Sequence, residues 1–158
     1  MVPEQHSNDG EVNVTDWEPP SLRAQNEIEL WLGADLAHLP IVRSVVATLA
    51  TRADFDLDSI ADLRLAVDEA CSTLITRALP GSTMRCRFLV ENDELRFQGT
   101  VVSENGSAPS TKSFGWRVLS TLTDSVDAHV KSNGQGHQVD IELAKRRITV
   151  DVPGAGGA

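Results

Sequence analysis

In the stretch 63–75, LRLAVDEACSTLI, one carboxylate stands among small hydroxyl residues. At helical spacing Ile60, Leu63, Val67, Cys71, Leu74 and Ala78 form one apolar stripe. Leu65, Glu69, Ser72 and Thr76 fall on the opposite side, flanked by Asp62 and Thr73. A plain solvated face is the simplest reading of that spacing. Such faces, however, usually carry Lys, Arg and Glu pairs. A single carboxylate beside Ser, Thr and Ala66 leaves room for close approach of a ligand or a second protein surface. The other constellations are weaker. His6, His38, His129 and His137 are scattered, with no Cys or carboxylate at ligand spacing, which argues against a metal centre. Neither a G-x-S-x-G elbow nor a P-loop occurs.

The elements that must position this face can be read from periodicity. NEIELWLGA alternates at Ile28, Leu30 and Leu32 and predicts a strand, with Trp31 at its end. HLPIVRSVVATLATRA carries Leu39, Val42, Val45, Val46 and Leu49 at helical spacing, and Pro40 is tolerable only in the first turn. Asp56 or Asp58 supplies the N-cap of the next helix, with Leu57 as a hydrophobic staple, and Pro80-Gly81 ends it. TMRCRFLVE and ELRFQGTVVS predict a hairpin turning at Asn92-Asp93. FGWRVLSTLTD reads as a short helix, with Phe114 and Trp116 as core or pocket-wall residues. SVDAHVK and QVDIELAK form a second hairpin, KRR (145–147) is a solvated strand end, and RITVDV adds a last short strand. The sum is an α+β, two-layer sandwich of three helices on a mostly antiparallel sheet.

The chain has 158 residues, enough for one compact domain. Its net charge of −9 is uneven: residues 1–29 hold seven acids against Arg23, a charge of −6, leaving −3 for the remainder. Residues 1–25 carry few large apolar groups, Trp17 foremost, a composition that predicts a disordered acidic tail. The expected domain spans 26–152, with a frayed end at 153–158. An acidic tail on a near-neutral domain excludes a phosphate-backbone footprint, so nucleic acid is not an expected partner. No apolar run reaches membrane-spanning length, and the first residues have no signal-peptide pattern. Cys71 and Cys86 show no paired spacing and are expected as buried free thiols in a reducing cytoplasm.

AVDEACSTLI resembles the N-box of the GHKL (Bergerat ATPase-like) nucleotide-binding proteins, and specifically of bacterial anti-sigma factor serine-protein kinases of the RsbW and SpoIIAB type. IVRSVVATL is similar to the first helix of that family, VVSENGSAP stands where it has D-x-G-x-G, FGWRVLSTLTDSVDAHV where it has G-x-G with a helix and strand, and NGQGHQVDIEL at its closing strand. The resemblance covers roughly residues 28–144 and is nearest to actinobacterial UsfX-type anti-sigma factors. It implies an anti-sigma factor that sequesters an alternative, stress-response sigma factor. A STAS-type anti-anti-sigma protein would release it. The family pairs through its sheets, which implies a homodimer with Trp31 near the interface. It also implies a pocket for ATP and Mg²⁺ at Glu69, Thr73, Glu104, Gly106, Lys112 and Gly115, with Arg43 as a partner contact.

In that family the glutamate matching Glu69 is a general base towards a partner serine, chemistry that a carboxylate on a pocket-facing helix can perform. The departures point away from an active kinase. Thr73 replaces an amide as the metal ligand and is a poorer one. Glu104 is one methylene longer than the family's adenine-binding aspartate. Ala108 replaces a glycine and removes conformational freedom there. The lid is reduced to SAPSTKS, Ser113 stands for the first glycine of G-x-G, and Lys112 is the one charge placed to meet a γ-phosphate. Weak or residual ATP binding is therefore the expectation, with an active serine kinase as the alternative.

Overall fold

A computed structural model describes residues 27–134 and 136–149; the tail 1–25 and the end 153–158 lie outside the described residues. Strand β1 (Glu27–Gly33) leads through a single 3-10 turn to helices α1 (Leu39–Arg52) and α2 (Leu57–Ile75). The hairpin β2 (Thr83–Glu91) and β3 (Glu94–Ser103) follows, then α3 (Phe114–Leu122) and the hairpin β4 (Ser125–Asn133) and β5 (Gly136–Arg146). The five strands form one sheet in the order β1-β2-β3-β5-β4, antiparallel throughout. The α+β layering expected from periodicity is what the chain adopts.

Alternation decides the two faces. Met84, Cys86 and Phe88 of β2 and Leu95, Phe97 and Val101 of β3 are buried under the helices, whereas Arg85, Arg87 and Arg96 point to the other side. Asn92 and Asp93 both have positive φ, 53° and 62°, as a tight two-residue hairpin turn requires. Gly99 faces the helices, and a Cβ there would sit 2.7 Å from Leu74 Cδ1, so its lack of a side chain is what lets α2 lie close to the sheet. Cys71 and Cys86 are free and buried in the layer between them. The neighbouring Cys86 thiol and burial push the Cys71 thiol well up from its usual range.

The helix signals resolve in favour of Asp56, whose carboxylate accepts the Ser59 amide at 3.0 Å. Bonds from the Ser59 side chain and backbone hold that carboxyl below the usual range. Leu57 is not a staple: it is 83% exposed, and Phe55, just before the cap, is the buried apolar residue. Ala66 is buried as well, because α1 and α3 both pack on α2 and narrow its open face. The expected last strand is absent at Arg147–Thr149. The Arg147 amide donates to the Asp93 carbonyl (2.7 Å) and its guanidinium to Asp93 Oδ1 (2.8 Å), tying the chain to the β2–β3 turn instead of to a neighbouring strand. Lys145 is not simply solvated either; its ammonium donates to the Leu122 carbonyl at 3.1 Å and lies 3.6 Å from Asp62. Among the described residues no helix is long and apolar enough to cross a membrane.

Candidate functional site

Helix α2 presents Glu69 toward the first turn of α3, and the contact is close. A Cβ built on Gly115 would overlap Glu69 Oε2 and lie 3.1 Å from its carboxyl carbon, so no side chain fits at that position while Glu69 is in place. One helical turn on, the Thr73 hydroxyl donates to the same Oε2 at 3.4 Å. The residue expected as a metal ligand thus steadies the carboxylate while its oxygen lone pairs stay available. Ser113 is the N-cap of α3, its Oγ accepting the Trp116 amide at 3.1 Å. A glycine there would leave that amide for an incoming anion; serine occupies it. The carboxylate itself gains from the positive end of the helix it touches.

The connection between β3 and α3 is closed on itself. The Asn105 amide donates to Ser103 Oγ (3.1 Å), the Ser107 amide to Asn105 Oδ1 (2.8 Å), the Lys112 amide to Ser110 Oγ (3.1 Å) and Ser113 Oγ to the Ser110 carbonyl (2.9 Å). Arg77, just beyond α2, clamps the middle of this loop by donating to the Ser107 carbonyl at 2.9 Å. Pro109 is buried while Lys112 is exposed. Neither Gly106 nor Ala108 has positive φ, so the loss of a glycine at Ala108 removes no conformation this loop uses.

Gly106 matters for space. A Cβ there would come within 2.7 Å of both Cε1 and Nδ1 of His137, the second residue of β5. The imidazole is held in turn by Ser132 of β4, with Nδ1 and the hydroxyl 2.7 Å apart. Glu104 is exposed and lines a recess of about 480 Å³ with Thr76, Arg77, Leu79, Pro80, Ser103 and Asn105; the buried polar residue at the end of β3 is Ser103. Of the six expected pocket residues, Glu69, Thr73 and Gly115 come together. Gly106 meets His137 instead, Glu104 opens to the recess at the end of α2, and Lys112 points to solvent. Of the two residues expected in the core or a pocket wall, Phe114 is 80% exposed, whereas Trp116 packs on the core. Two side-chain ends, Glu69 and His137, thus each lie against a glycine of this region, Gly115 and Gly106.

On the far side of α2, Arg43 of α1 is half-exposed and donates to Asp68 Oδ1 at 2.9 Å, one residue from Glu69. On the other flank of α1, Pro40, Ile41, Ser44, Val45, Thr48 and Arg52 line an apolar groove of about 530 Å³ against Ile28 of the edge strand. Three functional contacts escaped the sequence reading. Ser113 was detectable as a cap immediately before a helical run; the partners Asp68 and His137 carry no local signal.

The family pattern of the histidine kinase-like ATPase domain matches residues 32–143. Anti-sigma-F factor RsbW from two strains of Mycobacterium tuberculosis, CDC 1551 / Oshkosh and H37Rv, is 38% identical over 128 residues. That alignment covers 81% of this chain and 74% of each relative. The fold is similar to the crystal structure of the RsbU and RsbW domains of a Mycobacterium tuberculosis protein, with a TM-score of 0.52 at 14% identity. That match covers 78% of this chain and 34% of the other, and at that identity shows fold alone.

Proposed function

The chain belongs to the histidine kinase-like ATPase domain family, among the relatives of RsbW, and from that premise we propose that it is an anti-sigma factor working by protein contact. It sequesters an alternative sigma factor through the α1 surface around Arg43, and a STAS-type anti-anti-sigma protein competes for that surface. The observation that carries this reading is a contrast on the two sides of α2. The α1 side carries, among the described residues, an open apolar groove on one flank and the half-exposed Arg43 on the flank that faces α2, a composition suited to protein docking. The α3 side is covered by the chain's own groups.

Residual ATP binding with Mg²⁺ belongs to the proposal as a weak property, with Thr73 as the metal contact. The alternative is a serine kinase using Glu69 as base. The open sheet face supports a homodimer. It carries the ion pairs Arg85–Glu29 (2.7 Å) and Arg87–Glu27, a row of acids on β5 and β4, and Trp31, 61% exposed with the Arg85 guanidinium 5.5 Å from its ring centre. A cytoplasmic location and a domain spanning 26–152 complete the proposal.

Co-expression with each candidate alternative sigma factor, followed by gel filtration, tests the main reading. A stable complex lost in Arg43→Glu is the expected result. Failure of every sigma factor to co-elute would sink the reading, and phosphate transfer from ATP to a partner serine, lost in Glu69→Ala, would replace it with the kinase.

A further inference from the structure

Helix α1 carries Arg43 and Arg52 and no acid. On its flank away from α2, Ile41 and Val45 meet Ile28 of β1 across a groove that is open among the described residues, and Arg52 stands at the end of the helix. Two hydroxyls also line this groove, but both are turned back on their own helix. Ser44 donates to the Pro40 carbonyl at 2.9 Å, and Thr48 donates to the Ser44 carbonyl at 2.8 Å. The groove therefore suits an apolar occupant along its length and negative charge beside it. Ile41 is 49% exposed there, an apolar surface of the kind that marks an interaction site.

One stretch of the chain supplies both. Residues 1–26 contain five acids against Arg23, and Trp17 stands between Asp16 and Glu18, followed by Pro19-Pro20. The stretch joins the domain at Glu27, next to Ile28 in the wall of the groove. Ten residues lie between Trp17 and Ile28, a reach of about 35 Å when extended, against about 21 Å for the whole of α1. The tether holds the indole at high local concentration around the groove, and two residues of fixed φ lower the entropy lost on seating. A stretch too poor in apolar groups to fold alone can order around one anchor on a preformed surface. From this we infer that Trp17 seats in the α1 groove of its own chain, with Asp16 and Glu18 answering the positive charge of α1. The acidic stretch is then an internal competitor, and a protein partner gains this part of α1 only by displacing it. The competition rests on the proposed function; the seating of Trp17 does not.

Methyl NMR on the full chain, wild type against Trp17→Ala, tests the seating. The observed groups are Ile28, Ile41 and Val45, with Val126 and Val130 of β4, at the opposite edge of the sheet, as references. An indole ring shifts the methyl signals it touches, so the three groove residues should move in Trp17→Ala while the references stay and report an intact fold. No movement at the groove overturns the inference. So does a difference between the two proteins that fades on dilution, which makes a second copy the occupant. Sigma capture is then titrated on the same two proteins. A groove filled roughly nine-tenths of the time predicts roughly ten-fold tighter capture in Trp17→Ala, and equal or weaker capture overturns the competition. Capture by neither protein defeats the proposed function, whereas the methyl shifts stand or fall by themselves.

Discussion

The two ends of the cleft are covered in different ways. At Gly115 the covering group is a carboxylate on the body of α2, a helix packed on both flanks and buried at Leu63, Ala66, Val67, Ala70 and Leu74. Its position is fixed by that packing, and its partner glycine lies inside the first turn of another helix. At Gly106 the covering group is a ring at the start of a strand, next to a turn, and its partner lies in an irregular loop. The first contact joins two helices through the movable end of a side chain; the second joins a strand start and a loop through a ring. Close approach alone therefore does not measure cost. What matters is whether either side can yield.

The largest effect should come from Gly115→Ala, which forces the end of the Glu69 side chain to turn away and give up its bond from Thr73. Overpacking of this kind costs about 1–3 kcal/mol, read as a lower melting temperature. Adding Glu69→Ala should restore most of the loss, and a double variant no more stable than Gly115→Ala alone would show that the two residues are not coupled. Ser113→Ala removes the α3 cap and should cost about 1 kcal/mol, with fraying of residues 114–117 visible by hydrogen exchange. Gly106→Ala should be milder, below about 1 kcal/mol, because the His137 ring can swing away. A Gly106→Ala penalty as large as that at Gly115 would erase the distinction between the two ends. Smallest in stability is Arg43→Glu, within about 0.5 kcal/mol for a half-exposed pair. Its effect belongs on sigma capture, where at least a ten-fold loss is expected.

Much of the frame was legible because its signals are local. Period-two runs gave the strands, the stripe from Leu63 to Leu74 gave the buried side of α2, and Asn92-Asp93 gave the hairpin turn. The misreadings came where tertiary contacts override local preference. Leu57 precedes a helical run and could staple it, yet Asp56 takes the cap and leaves Leu57 in water. RITVDV has strand composition, yet its described residues 147–149 form no strand, and Arg147 bonds Asp93.

The site divides along the same line. By itself the sequence determined which residues share a helix face with Glu69, that the loop after β3 is short and polar, and that the acidic charge is concentrated at the start of the chain. Only the tertiary structure decided that Glu69 rests on Gly115, that His137 rests on Gly106, and that Arg43 is tied to Asp68. Those pairs are separated by 25 to 46 positions in the chain. Helical and strand periodicity relates a residue to neighbours a few positions away. Which distant side chain fills a given gap depends on how the layers pack, so a covered glycine and an open one look identical in sequence.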